Sequence, residues 1–100
     1  MKILTESVIT TIYGAVDEVN KMLPEEERLE KLPRTFLAGD KGSLDSLAMI
    51  NFIVEVESRI KKNFGLVLNL IEALEMPEEP MKNIGELAIF IVAQANGETV

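Results

Sequence analysis

The tetrapeptide Leu44-Asp45-Ser46-Leu47 opens a mostly apolar run over residues 48–57, and this junction constrains the fold more than any other feature. An aspartate directly before such a run indicates a helix start. Its side-chain oxygen accepts hydrogen bonds from backbone N–H groups that lack a partner within the helix, here those of Leu47 or Ala48. Ser46 then takes the first helical position, with its hydroxyl at the positive end of the helix dipole, where a phosphate ester is favoured. The simpler alternative is a capped helix start in which Ser46 is only a small solvated residue.

Apolar residues at helical spacing predict three main helices, and the middle one starts at Asp45. The first covers about residues 5–22, and its apolar stripe is Ile9, Ile12, Val16, Val19 and Leu23. The second covers residues 45–62, since Lys61-Lys62-Asn63 and then Gly65 are helix-stop signals. Asn83 caps the last helix, with Glu86 placed to reach back as in a capping box. Its apolar residues cover most of its surface: Ile84, Leu87, Ala88, Phe90, Ile91 and Val92.

The connections between these helices differ in character. Pro24 ends the first helix, and residues 24–44 form a long loop that brings Ser46 to the surface. The loop contains the glycine-rich stretch 39–43, and its apolar anchors are Leu29, Leu32, Phe36 and Leu37. Residues 66–81 are too apolar for a free loop, and we expect them to pack over the second and last helices. Within them, residues 71–76 predict a short helix that Pro77 ends. The segment either lines a cleft that shelters a bound group or simply fills the core.

The predicted architecture is all-α: a small bundle of three main helices plus one short helix, with a long loop between helices 1 and 2. No two stretches show the alternation of apolar and polar residues that would indicate paired β-strands. One domain covers residues 1–95, followed by a flexible tail over residues 96–100.

Composition excludes several classes of function. Cysteine and histidine are absent, which removes a catalytic thiol, the commonest general base and the commonest transition-metal ligands, so we expect neither an enzyme nor a metal site. The net charge of -7 argues against nucleic acid as a partner and favours proteins with basic patches. No signal-peptide core develops after Met1, and the longest apolar run, residues 87–93, is too short to span a bilayer. A cytoplasmic monomer is expected.

The residues around Ser46 resemble a known family. Residues 44–47, followed at helical spacing by Ile50, Phe52, Ile53, Val56, Glu57 and Ile60, are similar to the modification site and second helix of the acyl carrier protein family. Asn83-Ile84-Gly85-Glu86-Leu87 is similar to the start of the family's last helix, and Phe36 matches its loop phenylalanine. The resemblance implies that Ser46 carries 4′-phosphopantetheine taken from coenzyme A, with Asp45 capping the helix that presents it.

What the resemblance implies for function is a carrier of acyl or aminoacyl thioesters. Its partners would be a phosphopantetheinyl transferase and the enzymes that load and unload the arm. Departures from the family pattern indicate a specialised member: Ser43 replaces the usual glycine, and Ala48, Asn51 and Ser58 replace acids. The cargo and pathway stay open among fatty acyl, aminoacyl, hydroxyacyl and polyketide chemistry.

The angular pattern of the second helix predicts where partners dock. Its apolar arc is too wide for one buried stripe, so we expect Phe52, Val56, Met49 and Ile60 to face the core. Four other residues would then be substantially exposed beside Ser46: Leu47, Ile50, Val54 and Glu57. Similar positions form the docking face in the carrier family. The opposing prediction is that the whole arc is buried and Glu57 is paired internally.

Two other functions compete with the carrier. A non-covalent acidic helical interaction module, with no prosthetic group, explains the acidity and the apolar excess equally well. A carboxylate enzyme using Glu55, Glu57, Glu72 or Glu75 is the third, although no pattern brings two of these groups together in a pocket.

Overall fold

The computed structural model describes residues 3–37, 44–72 and 82–97. Within them the chain forms three helices, and the all-α architecture with a long connection between the first two is confirmed. The elements in chain order are α1 (Thr5–Asn20), a 3-10 turn (Glu25–Glu27), α2 (Ser46–Phe64) and α3 (Ile84–Ala95). No strand occurs in these residues; one isolated bridge joins Phe36 to Asn83.

The termini of α2 follow from local signals in the sequence. The Asp45 carboxylate accepts a hydrogen bond from the Ala48 N–H at 2.8 Å, which satisfies one of the unpaired donors of the first turn. At the other end Gly65 has φ of 70°, a left-handed conformation that favours glycine, and its N–H donates to the Lys61 carbonyl at 2.9 Å. The helix therefore continues through Phe64, slightly beyond the predicted end.

Helix α1 packs against both α2 and α3. It ends at Asn20 rather than at residue 22, and the next residues continue as turns, with Leu23 N–H donating to the Asn20 carbonyl at 3.2 Å. The predicted stripe is largely confirmed, although Ile9 and Leu23 are only half-buried. The buried residues of the helix are Val8, Thr11, Ile12, Ala15, Val16 and Val19.

The core lies between the three helices and includes residues from the connections. From α2 it takes the predicted residues together with Ile53: Met49, Phe52, Ile53, Val56 and Ile60. From α3 it takes Ile84, Leu87, Ala88, Phe90 and Ile91. Leu29, Leu37, Leu44 and Leu70 extend it from outside the helices. Burial of these side chains supplies the main stabilisation of the fold.

The first part of the α1–α2 connection is fastened to α1 by the side chain of Asn20. Its Oδ1 accepts from the Leu29 N–H at 2.8 Å, and its Nδ2 donates to the Leu29 carbonyl at 3.0 Å. The amide thus pairs with Leu29 as a neighbouring backbone strand would. Leu29 is buried as a result, which explains its role as an apolar anchor.

The second part of the connection is fastened to the start of α3. The N–H groups of Ile84 and Gly85 donate to the carbonyls of Thr35 and Pro33 at 3.1 and 2.7 Å. A Cβ atom at residue 85 would lie 3.1 Å from the Pro33 oxygen, so glycine permits this close approach. The Asn83 side chain accepts from the Glu86 N–H at 2.8 Å, which confirms the predicted cap.

Several predictions fall on residues outside those that the structure describes. They are the glycine-rich stretch 39–43 with Ser43, most of the short helix over residues 71–76, the rest of the apolar segment up to residue 81 and the end of the tail, residues 98–100. The part of the apolar segment that is described, residues 66–72, does pack: Leu70 is buried, and Leu66 and Leu68 lie half-buried against the core. Asn96, the first tail residue, accepts a hydrogen bond from the Ile3 N–H at 3.2 Å.

Candidate functional site

Ser46 is the first residue of α2 and is exposed to solvent. Asp45 before it is the N-cap, and the first turn of α2 carries no acidic side chain. The hydroxyl therefore lies beside backbone N–H groups and the positive end of the helix dipole. A phosphodiester attached there meets favourable electrostatics and displaces no buried side chain.

The residues before Ser46 fix the direction in which the helix starts. Leu44 is buried, and its N–H donates to the carbonyl of Leu37 at 3.0 Å. Leu37 in turn donates its N–H to the Lys82 carbonyl at 3.1 Å. Because Leu37 is fully buried, these bonds tie the start of α2 to the segment that leads into α3. The start of α2 at Ser46 is thus held by buried residues of the preceding connection.

Beside Ser46, one side of α2 exposes apolar side chains. Leu47, Ile50 and Val54 are 69%, 45% and 52% exposed. Ile53, on the same helix, is fully buried. The predicted exposure of these three residues is therefore confirmed, and they form an apolar patch next to Ser46, which we call the α2 patch. Whether partners dock there stays a prediction.

Glu57 differs from its prediction. It is half-buried rather than substantially exposed, and its Oε2 accepts a hydrogen bond from the Leu70 N–H at 2.7 Å. The physical reason is that the segment after α2 folds back along the helix and needs an acceptor for a buried backbone donor. This hydrogen bond holds Leu70 against α2, whereas Val67 and Ile71 in the same segment are exposed.

The polar side of α2 faces the end of α1. Arg59 Nε donates to Glu55 Oε1 at 2.9 Å, and its Nη2 lies 3.6 Å from Glu18 Oε1. Glu55 is therefore engaged in an ion pair. Among the described residues no group of three or more carboxylates is placed to hold a metal ion.

One feature of the α1–α2 connection was not predicted from the sequence. Arg28 and Arg34 line a surface pocket in the α1–α2 connection together with Phe36. The sequence predicts only a long loop with apolar anchors for this segment. The two arginines follow no helical or strand period, so only the folded connection brings them together.

No protein-family model, curated protein or solved structure matches the chain. In the part of the chain that the structure describes, no helix combines the length and apolarity needed to cross a membrane.

Proposed function

We propose that the protein is a carrier that holds an acyl or aminoacyl thioester on a 4′-phosphopantetheine arm attached to Ser46. The observation that carries the proposal is an exposed serine at the first position of a capped helix, directly beside an exposed apolar patch. The resemblance of residues 44–60 to the modification site of acyl carrier proteins supports it from the sequence.

The roles of the residues follow from their positions. Ser46 offers the hydroxyl, and Asp45 holds the start of α2 so that the hydroxyl stays at the surface. The arm, when attached, supplies a thiol that holds the cargo as a thioester. The protein itself needs no general base, because a phosphopantetheinyl transferase working on coenzyme A provides one. This accounts for a carrier without histidine or cysteine.

Partner enzymes would bind through the α2 patch. Leu47, Ile50 and Val54 give an apolar contact area, and the net charge of -7 attracts partners with basic surfaces. A small apolar area within a charged surface suits a transient interface. A small carrier that moves an intermediate between active sites also benefits from the high local concentration that a tether provides. We propose that it acts as a monomer.

The decisive experiment is the mass of the intact protein after incubation with coenzyme A, Mg²⁺ and a broad-specificity transferase. We expect the wild type to gain one phosphopantetheinyl group and Ser46→Ala to gain none. Circular dichroism should show the same helix content in both, since an exposed side chain in the first turn contributes little to folding. A group still attached to Ser46→Ala, for instance at Ser43, would overturn the assignment.

The second candidate is a non-covalent interaction module without a prosthetic group. The exposure of the α2 patch favours it as much as it favours the carrier. The same mass measurement separates the two, because an interaction module gains no mass and the carrier does.

A further inference from the structure

The α1–α2 connection lines an open surface pocket of about 380 Å³, which we call the loop pocket. This volume falls within the range of small-molecule sites, about 300–1,000 Å³. The lining residues are Arg28, Leu29, Glu30, Leu32, Arg34, Thr35 and Phe36. The pocket is thus built from a continuous stretch of chain that the helices hold from both sides.

Hydrogen bonds hold both ends of the stretch that lines the loop pocket. Arg28 Nε donates to the carbonyls of Asn20 and Leu23 at 3.1 and 3.3 Å, so its guanidinium is fixed against the end of α1. On the other wall, the Thr35 carbonyl accepts from the Ile84 N–H at 3.1 Å. A pocket whose walls are already ordered loses little conformational entropy when a ligand binds.

Positive charge converges on the loop pocket although the protein is acidic overall. Arg28 and Arg34 line it, and Lys82 Nζ lies 6.0 Å from the centroid of the Phe36 ring that forms part of its wall. Glu30 is the single carboxylate in the lining. In the described part of the chain, Arg34 forms no ion pair with a carboxylate. The lining thus carries two arginines against one carboxylate, whereas the whole chain has a net charge of -7.

We propose that the loop pocket binds a carboxylate carried on a short apolar body. A guanidinium group matches a carboxylate with paired, charge-assisted hydrogen bonds, and Arg34 and the Nη atoms of Arg28 are the donors available for it. Leu32 and Phe36 give the apolar part of the ligand a surface to cover.

A short path through the backbone links the loop pocket to Ser46 and limits the distance between them. Phe36 adjoins Leu37, whose carbonyl accepts from the N–H of Leu44, and Leu44 precedes Ser46 by a single intervening residue. Chain geometry then keeps the Cα atoms of Phe36 and Ser46 within about 17 Å. A phosphopantetheine arm has nearly as many chain bonds as five residues and spans about 16 Å when extended. If the proposed function holds, on which this step rests, the carboxylate belongs to a carboxyl-bearing acyl cargo that folds back into the pocket.

The binding is tested first with free probes on the full chain. Hexanoate and hexanamide share one apolar body and differ in charge, and amide chemical shifts report where each binds. We expect hexanoate to shift Leu32, Thr35 and Phe36 in a saturable manner and hexanamide to leave them unchanged. Equal binding of the two probes, or no shift with either, would overturn the proposal.

Two variants test whether Arg34 is the group that binds the carboxylate. Arg34→Gln should weaken hexanoate binding at least about tenfold, because it removes a charge-assisted contact. Lys31→Gln is the matched control: it removes the same charge from the same connection, but Lys31 pairs with Asp17 at 3.3 Å and does not line the pocket. Equal weakening by both variants would mean a general effect of charge and would contradict the proposal.

Acyl groups loaded on the phosphopantetheine arm test whether the carboxylate belongs to the cargo. Protein loaded on Ser46 with a glutaryl group should show the pocket shifts without added probe, whereas protein loaded with a butyryl group should not. Identical spectra would overturn the cargo assignment and leave the carrier function intact. Failure to modify Ser46 at all would overturn the carrier function, and the free-probe experiment would still decide the pocket.

Discussion

The carboxylate of Glu57 accepts a hydrogen bond from the backbone N–H of Leu70 at 2.7 Å, and this contact fastens the chain after α2 to the side of α2 that carries the exposed apolar patch. Leu70 is buried, so its donor has no access to solvent when the carboxylate is lost. One side chain therefore controls whether the segment that contains Leu70 stays in place against α2.

We expect Glu57→Ala to lower the free energy of unfolding by about 1–3 kcal/mol, the range for a buried donor left without its acceptor. Hydrogen exchange at the Leu70 amide should become faster by more than exchange at Val56, since the opening is local. Glu25→Ala, at an exposed carboxylate in the 3-10 turn, is the control and should change neither quantity. Unchanged exchange at Leu70 would show that the hydrogen bond does not hold the segment.

Substitutions in the α2 patch test whether partner enzymes dock there. Ile50→Asp and Val54→Asp should fold with a loss of about 1 kcal/mol or less, because both side chains are substantially exposed. Their modification by the transferase should slow at least about fivefold in kcat/KM, which corresponds to the loss of one apolar interface contact.

Ile53→Asp is the matched control on the same helix. Its side chain is fully buried, so a carboxylate there costs several kcal/mol and should unfold the domain, as thermal denaturation will show. If Ile50→Asp and Val54→Asp fold but are modified at the wild-type rate, the patch is not the surface that the transferase contacts.

Asp45 contributes to the site through its cap. Asp45→Ala removes the acceptor of the Ala48 N–H and should cost about 0.5–2 kcal/mol, whereas Asp45→Asn keeps a capping oxygen and should cost much less. Urea denaturation measures both. If the cap is what presents Ser46, modification slows in Asp45→Ala and stays near the wild-type rate in Asp45→Asn. Equal slowing in the two variants would assign the effect to the charge of Asp45 instead.

The features that were predictable from the sequence are those with local causes. Asp45, Gly65 and Asn83 mark helix termini by their own side chains or backbone freedom, and the structure places the termini at these residues. The exposure of Ile50 and Val54 follows from the angle between residues on one helix, which is fixed by helix geometry.

The features that escaped prediction depend on contacts between distant parts of the chain. The position of Glu57 on α2 was predictable, but its burial was not, because that depends on Leu70 returning to the helix. The loop pocket likewise exists only because Asn20 holds Leu29 and the start of α3 holds residues 33–35. Arginines in an irregular connection carry no periodic signal that reveals such a pocket.

A last prediction concerns the contact between α1 and α2 at Gly14. A Cβ atom there would lie 2.6 Å from Arg59 Nη1 and 3.2 Å from Arg59 Cζ, so the arginine side chain has to move when residue 14 is larger. Replacing glycine by alanine inside a helix is favourable by about 1 kcal/mol. Moving Arg59 disturbs its partly exposed ion pairs with Glu55 and Glu18, which are worth about 0.5 kcal/mol.

Gly14→Ala should therefore stabilise the wild type by only about 0.5 kcal/mol, and should give the full gain of about 1 kcal/mol in the Arg59→Ala background. Urea denaturation of the wild type, the two single variants and the double variant measures this difference as a coupling energy. Steric contact with Arg59 determines the sign of this coupling energy, because nothing opposes the alanine methyl group when the guanidinium is absent. Equal gains in both backgrounds would show that Arg59 does not lie against Gly14 in solution.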